Sequence, residues 1–235
     1  MLYLLWNIDQ IQFGMAADSR RNNYGLFDVY KPEFASLDDL DNNYYYRQKH
    51  RKGGNRSRKT YVADQNLPLI ERPGENGVPV VLSGSDKTNG DELYPKWFMN
   101  VVASDKIGND RRLPDVRAKQ CKQQQFDNRL PTASVVVIFH NEWLSPLIRT
   151  IHSVALRSDP QLLKQIVVFD DYSDREELGD QLQDHLAAQK WSDKIKLVRS
   201  KERLGLIRAR VEGAKHATGD VLVFLESHCE VTLGW

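Results

Sequence analysis

Three clusters of acidic, imidazole and hydroxyl side chains follow apolar runs in the second half of the chain: His140-Asn141-Glu142, Asp170-Asp171 and Glu226-Ser227-His228. Carboxylates brought together repel one another, and their pKa values rise, unless a cation neutralises them. Glu226 and His228 are two residues apart, so at the end of a strand both side chains can point to one face. Since a carboxylate and an imidazole suit a manganese-class ion, these two residues are predicted to ligate one.

Phosphate binding is indicated by three arginines near the start of a predicted helix: Arg203, Arg208 and Arg210. The chain has neither a Gly-x-Gly-x-x-Gly sequence after its first predicted strand nor a P-loop sequence, which removes the main support for a redox-dinucleotide or P-loop site. A metal ion together with arginine side chains would neutralise a diphosphate instead. Asp171 would accept a hydrogen bond from a ribose hydroxyl or a base edge. The pattern therefore predicts a site for a nucleoside diphosphate with a metal ion.

Each cluster also has a purely structural interpretation. Asp170-Asp171 would serve as the N-cap of the next helix. His140 or His228, taken singly, would be an ordinary structural histidine. Arg208 and Glu212 would form an i,i+4 pair on a solvated helix face. The functional interpretation is favoured because all of these residues fall at predicted strand ends on one edge of a sheet.

Strands and helices alternate over the last hundred residues, which positions the clusters. Strands are predicted at 134–139, 166–169, 195–198 and 221–225, and helices at 147–156, 176–189 and 206–215. The strand runs are continuous and rich in β-branched residues, which is typical of a parallel sheet covered on both faces. The predicted fold class is therefore α/β with a mostly parallel sheet, in which ligands bind beyond the carboxyl ends of the strands.

A long irregular N-terminal arm is predicted before this sheet. Residues 1–70 show no helical or strand period and are expected to form a flexible, stem-like segment. Tyrosines and basic residues interleave at 44–59, but neighbouring acids and Gly53-Gly54 favour a solvated arm over a nucleic-acid site. Residues 71–130 are expected to form an extended arm with an edge strand at 78–82. Its aromatic residues at 97–98 would be buried against the following domain.

The composition of the 235 residues excludes several classes of protein. A net charge of +1 with 40% hydrophobic residues disfavours a strongly basic nucleic-acid binder. Cys121 and Cys229 are the two cysteines, too few for a disulfide scaffold or a four-thiolate zinc site. Whether they pair or stay reduced is left open. No apolar run approaches the ~18 residues of a membrane span, so no such span is predicted.

Several segments together resemble the polypeptide N-acetylgalactosaminyltransferases. They include Leu130-Pro-Thr-Ala-Ser-Val-Val-Val-Ile-Phe-His-Asn-Glu142, Asp170-Asp-Tyr-Ser-Asp174, Gly205-Leu-Ile-Arg-Ala-Arg210 and Phe224-Leu-Glu-Ser-His-Cys229. The resemblance begins near Glu71 and reaches Trp235. It implies a Rossmann-like GT-A fold, a Golgi location, and transfer of GalNAc from UDP-GalNAc to Ser or Thr hydroxyls of polypeptides with Mn²⁺ and retention of configuration.

The resemblance also implies roles for particular residues. The metal ligands are predicted to be Glu226 and His228, and no catalytic residue is predicted. The nucleotide sugar is predicted to be bound by five residues: His140, Glu142, Asp171, Arg203 and Ser227. Two departures from the family pattern are present, because Glu226 replaces the usual Asp of the metal motif and Leu204 stands where Glu is common.

The position of the metal motif near Trp235 leads to a further expectation. Residues 131–235 are predicted to form the N-terminal, nucleotide-sugar-binding half of a GT-A domain, without the acceptor half and the lectin domain of the family. The chain alone is then expected to be inactive. The alternative is a catalytically inactive, truncated module that binds UDP or a protein partner.

Overall fold

The computed structural model describes residues 71–123, 126 and 130–235. In this part of the chain a four-stranded, all-parallel sheet is formed by β1 (Ala133–Phe139), β2 (Leu163–Asp170), β3 (Ile195–Arg199) and β4 (Val221–Glu226). The strand order is β3-β2-β1-β4. Val135, Val136 and Val137 of β1 are fully buried, as expected for a strand covered on both faces.

The helices, in chain order, are α1 (Gly84–Trp97), α2 (Val101–Asp105), α3 (Lys119–Gln123), α4 (Leu144–Arg157), α5 (Asp180–Ala187) and α6 (Leu206–Lys215). Short 3₁₀ turns occupy Glu75–Gly77, Glu176–Leu178 and Ser192–Lys194. Among the described residues, no helix combines the length and apolar character that crossing a bilayer requires.

The core lies on both faces of the sheet. On one face, apolar residues of α4 and α5 pack against Val135, Val137 and Ile166. On the other face, α6 lies close to β1, because Gly213 leaves room for the side chains of Val136 and Ile138. A Cβ atom at Gly213 would lie 2.9 Å from Ile138 Cδ1 and Val136 Cγ1. The central strands β1 and β2 are therefore covered on both faces, as the sequence predicts. The edge strand β4 is not, because Val221, Leu222 and Phe224 are 41–42% exposed.

The segment 71–123, called the arm below, is joined to the sheet domain by three arginines, of which Arg149 and Arg157 are buried. Arg111 of the arm donates to Glu230 at 2.6 and 2.9 Å. Arg149 of α4 donates to the Ile107 carbonyl at 3.0 Å, and Arg157 of α4 donates to the Arg111 carbonyl. Guanidinium groups on both sides of the contact thus fix the arm against the segment that follows β4.

The predicted strands and the helix at 206–215 are confirmed, and the α/β class with a parallel sheet is confirmed with them. The single helix predicted at 176–189 is wrong, because Gly179 (φ −76°, ψ −119°) separates a 3₁₀ turn from α5. The edge strand predicted at 78–82 is also wrong, since that segment is irregular and α1 follows it. Phe98 was expected to be buried, but it caps α1 with a positive φ and is 82% exposed. Residues 1–70, with the predicted stem and its tyrosines, lie outside the described residues.

Candidate functional site

The carboxyl ends of β1, β2 and β4 lie side by side, so the three polar clusters meet at one edge of the sheet. Phe139 of β1 is opposite Asp170 of β2, and Ile138 of β1 is opposite Glu226 of β4. The residues that follow these strands therefore line a single crevice, as expected for an open parallel sheet.

Glu142 is the centre of this edge. Its Oε2 atom accepts hydrogen bonds from Ser227 Oγ at 2.6 Å and from His228 Nδ1 at 2.9 Å, and its Oε1 atom accepts from the Trp143 backbone N–H at 2.9 Å. Burial opposes the charge of Glu142, but the hydrogen bonds from His228 and Ser227 outweigh it and lower the pKa of Glu142. The hydrogen bond that His228 donates to Glu142 raises the pKa of His228 in turn. Three predicted site residues are thus held together by one carboxylate.

Asp171 is fully buried and is engaged with the loop before α6. Its carboxylate accepts from the backbone N–H groups of Leu204 at 2.7 Å and Gly205 at 3.0 Å, and it forms an ion pair with Arg203. The Arg203 side chain remains 46% exposed. Asp171 therefore holds the start of α6 in place and keeps one guanidinium at the surface of the crevice.

His140 is exposed and is oriented by the backbone of the neighbouring loop. Its Nδ1 atom lies 2.9 Å from the Asp171 carbonyl oxygen. Because a carbonyl only accepts, Nδ1 carries the hydrogen, which in a neutral ring leaves Nε2 as an acceptor. His140 therefore offers a free acceptor nitrogen to a ligand in the crevice.

Asp170 has a structural role, but not the N-cap role that the sequence left open, since Arg175 precedes the next helical turn and Gly179 precedes α5. Asp170 accepts from Arg199 at 2.6 Å and from the Ser173 backbone N–H at 2.8 Å, which shapes the turn after β2. The predicted pairing of Arg208 with Glu212 is not the one seen, because Arg208 donates to the Leu204 carbonyl and Glu212 pairs with Lys215. Of the aspartate pair, only Asp171 thus contacts one of the arginines near α6.

Glu226 and His228 lie at the same edge but have different partners. Glu226 forms an ion pair with Arg210 of α6, whereas His228 is bonded to Glu142. The side chains are 45% and 39% exposed, and the charge of Glu226 contributes to the raised pKa of His228. In the described part of the chain no three His, Cys, Asp or Glu side chains are arranged to hold a metal ion. A carboxylate and an imidazole are donor types that fit a divalent ion. Glu226 would have to exchange Arg210 for the ion, whereas His228 could bind it through Nε2 and keep its Nδ1 hydrogen bond to Glu142.

Sequence reasoning missed two residues that connect this edge of the sheet to the arm. Trp143 follows Glu142 directly and contacts Trp97 and Arg175, and Glu230 follows the metal motif and accepts from Arg111. An aromatic residue beside an acidic cluster was the available signal for Trp143. Cys121 and Cys229 are both free thiols, the first exposed and the second buried.

The parallel sheet, with its polar residues at the carboxyl ends of the strands, is typical of glycosyltransferase domains of the GT-A type. A family model described as glycosyl transferase family 2 matches residues 134–235. A crystal structure of GalNAc-T7 with UDP, GalNAc and Mn²⁺ superposes with a TM-score of 0.70 at 34% identity, covering 89% of this chain and 36% of that one. The parallel sheet described above is thus the sheet of a GT-A fold.

Sequence similarity to known proteins identifies the family within this class. Probable N-acetylgalactosaminyltransferase 9 of Caenorhabditis elegans is 49% identical over 166 residues, which is 70% of this chain and 28% of that protein. Probable N-acetylgalactosaminyltransferase 7 of the same organism is 38% identical over 236 residues, covering 96% of this chain and 38% of that protein. Human polypeptide N-acetylgalactosaminyltransferase 10 is 43% identical over 162 residues, with 69% and 26% covered. The chain belongs to the polypeptide N-acetylgalactosaminyltransferase family and covers part of its catalytic domain, spanning well under half the length of these relatives.

Proposed function

We propose that this chain forms the nucleotide-sugar-binding part of a transferase that moves GalNAc from UDP-GalNAc to Ser or Thr hydroxyls of polypeptides. The observation that carries the proposal is the convergence of Glu142, Ser227 and His228 beside the Asp171–Arg203 pair at one edge of the sheet. Family membership supports it, and the GalNAc-T7 structure was determined with UDP, GalNAc and Mn²⁺. Action in the Golgi lumen is part of the proposal and rests on the family resemblance.

The chain's own residues would bind and orient the nucleotide sugar. Arg203 presents a half-exposed guanidinium that would attract the diphosphate, while Asp171 keeps that guanidinium in place. His140 offers Nε2 as an acceptor to a uridine N–H or ribose hydroxyl. Glu142 fixes the ring of His228 through Nδ1 and leaves its Nε2 for another ligand. Binding and orientation are therefore divided between the loops after β1, β2 and β4.

Glu226 and His228 would hold the metal ion. When bound there, Mn²⁺ supplies positive charge that neutralises the diphosphate and stabilises the UDP leaving group. Glu226 carries one methylene more than the aspartate usual in the family, so its carboxylate reaches further from the strand. Its present partner Arg210 would then be released and would add its charge to that of Arg203 at the same edge.

A metal-independent module that binds UDP or a protein partner is the second candidate. It is favoured by the present pairing of Glu226 with Arg210, which neutralises the carboxylate without a metal ion. In that function Glu226 would serve only to hold α6 against β4. Replacement of Glu226 therefore separates the two candidates.

Calorimetric titration of the 235-residue chain with UDP, with and without MnCl₂, tests the proposal. We expect Mn²⁺-dependent binding in the wild type and a loss of at least about tenfold in affinity for Glu226→Gln, because a charged ligand is removed. Glu212→Gln is the matched control, since Glu212 lies on α6 and pairs with nearby Lys215 rather than with a residue of the candidate site. Equal UDP affinity with and without Mn²⁺, unchanged in Glu226→Gln, would contradict the proposal and support the metal-independent module.

A further inference from the structure

Three separate parts of the chain meet in a cluster of two tryptophans and one arginine beside the candidate site. Trp97 ends α1 in the arm, Trp143 lies in the loop after β1, and Arg175 lies in the loop after β2. The Arg175 guanidinium carbon is 4.5 Å from the Trp97 ring centroid and 4.6 Å from that of Trp143. The two indole rings meet edge to face with centroids 5.1 Å apart. The guanidinium therefore joins the arm to both loops by cation–π contacts.

The arm holds Trp143 by a second contact. Trp143 Nε1 donates to Asp105 Oδ1 at 2.7 Å, and Asp105 is the last residue of α2 in the arm. The indole is thus fixed through its face by Trp97 and Arg175 and through its N–H by Asp105. Since an anchored side chain restricts its own backbone, the Trp143 N–H has little freedom to move.

That backbone N–H leads directly into the candidate site. It donates to Glu142 Oε1 at 2.9 Å, while Glu142 Oε2 binds Ser227 and His228. A continuous path of contacts therefore runs from the arm through Trp143 and Glu142 to the segment after β4. The same segment is held on its other side by Thr150, which donates to the Ser227 carbonyl at 2.9 Å.

We propose that Trp143 is a positioning residue, through which the arm sets the orientation of the Glu142 carboxylate and hence of Ser227 and His228. In this role Trp143 acts through Glu142 and not through a contact of its own with the nucleotide sugar. The arm, which lies before the matched glycosyl transferase domain in the chain, thereby becomes part of the support of the site. The functional consequence of the inference, tighter UDP binding, rests on the function proposed above.

Three variants and one control separate positioning from stability. Trp143→Leu removes the ring and the Nε1 donor, Trp143→Phe keeps an aromatic face, and Trp97→Leu alters only the arm. Trp191→Leu is the matched control, because Trp191 is also half-buried and packs edge-on to His152 at 4.9 Å. Trp191 precedes β3 and therefore lies near the amino end of that strand, whereas the site lies at the carboxyl ends of the strands. Trp143→Leu and Trp191→Leu thus each remove one half-buried indole, the first at the carboxyl ends of the strands and the second at the amino ends.

Hydrogen–deuterium exchange of the unliganded chain measures the positioning directly. In Trp143→Leu we expect backbone amides of residues 226–231 to exchange about tenfold faster than in the wild type, as for the loss of a desolvated cation–π cluster. Trp143→Phe should show a smaller increase, and Trp191→Leu should leave this segment unchanged. Unchanged exchange in Trp143→Leu, or an equal increase in Trp191→Leu, would overturn the inference. If Trp143→Leu does not fold, Trp97→Leu decides the question by the same comparison.

UDP affinity in the presence of Mn²⁺ is the second readout. We expect Trp143→Leu to weaken binding, Trp143→Phe to restore most of it, and Trp191→Leu to bind as the wild type does. A wild-type chain that does not bind UDP would refute the proposed function, while the exchange rates would still decide whether Trp143 positions the segment after β4. Normal UDP affinity in Trp143→Leu with faster exchange would overturn the functional consequence alone.

Discussion

Acidification should destabilise the sheet domain through a pair of histidines, the buried His152 of α4 and the half-buried His185 of α5. His152 of α4 is 7% exposed, and its Nε2 atom lies 2.9 Å from Nε2 of His185 in α5. Burial, and then the charge of His185, lower the pKa of His152 to about 3, and burial also lowers the pKa of His185. Trp191 packs its ring against His152, so no water replaces the lost solvation on that side. The folded protein therefore keeps His152 neutral.

The sign and size of the effect follow from the two pKa values. An unfolded histidine titrates near 6.5, so between pH 6.5 and 3 the unfolded chain binds more protons than the folded one. The contribution of His152 is therefore complete above pH 6.5 and falls by about 1.4 kcal/mol for each pH unit below it. At pH 5 the free energy of unfolding should have lost about 2 kcal/mol from this residue.

Urea unfolding curves at a series of pH values between 7.5 and 5 measure this loss. His152→Phe keeps a ring against Trp191 but cannot titrate, so its unfolding free energy should fall less steeply on acidification than that of the wild type. The difference between the two proteins removes the contribution of the carboxylates, which both share. Parallel loss of stability in the wild type and in His152→Phe would show that protonation of His152 does not cause the loss.

Three further substitutions test contacts that the structure identifies. Glu230→Gln should lower the free energy of unfolding by about 3 kcal/mol, because Arg149 and Arg157, 3.6 and 3.7 Å from this carboxylate, would stay buried without it. Urea unfolding checks this loss, and a loss below about 1 kcal/mol would contradict it. Gly213→Ala should lower the melting temperature, since the added Cβ would lie 2.9 Å from side-chain atoms of Ile138 and Val136. The cost of overpacking, about 1–3 kcal/mol of unfolding free energy, exceeds the gain of about 1 kcal/mol from the higher helix propensity of alanine. A melting temperature above that of the wild type would show that the two side chains move aside. Asp171→Asn should weaken UDP binding and raise hydrogen exchange at Leu204 and Gly205, because the amide accepts poorly in place of a carboxylate. Calorimetry measures the UDP affinity, and hydrogen–deuterium exchange measures the two amides. A wild-type affinity together with wild-type exchange rates would show that Asp171 does not hold the loop before α6 in place.

The fold was largely predictable because its signals are local. The strands of the sheet are continuous apolar runs, and α6 begins after Gly205 as predicted. The helix α1 was not predictable in this way, because it contains Gly84, Gly90 and Pro95, residues that usually interrupt helices. Its stability comes from packing beside α2 and from Trp97 against the site loops, which a single segment of sequence does not reveal.

The residues that line the candidate site were predictable from the sequence, but the ion pairs and hydrogen bonds among them were not. Parallel strands bring their carboxyl ends to one edge, so the meeting of the three polar clusters follows from topology alone. Which carboxylate pairs with which cation depends on rotamers and on the position of α6 relative to β4. The pairs Glu226–Arg210 and Glu142–His228 therefore became visible only in the structure. The same holds for Trp143, whose partners come from the arm and from the loop after β2.

The position of Mn²⁺ in a crystal of this chain with UDP tests the central claim most directly. Anomalous scattering from manganese locates the ion without reference to any assumed ligand. We expect one peak within coordination distance of the Glu226 carboxylate and the His228 imidazole, in contact with the diphosphate of UDP beside Arg203. Bound UDP with no manganese peak, or a peak held by other side chains, would contradict it.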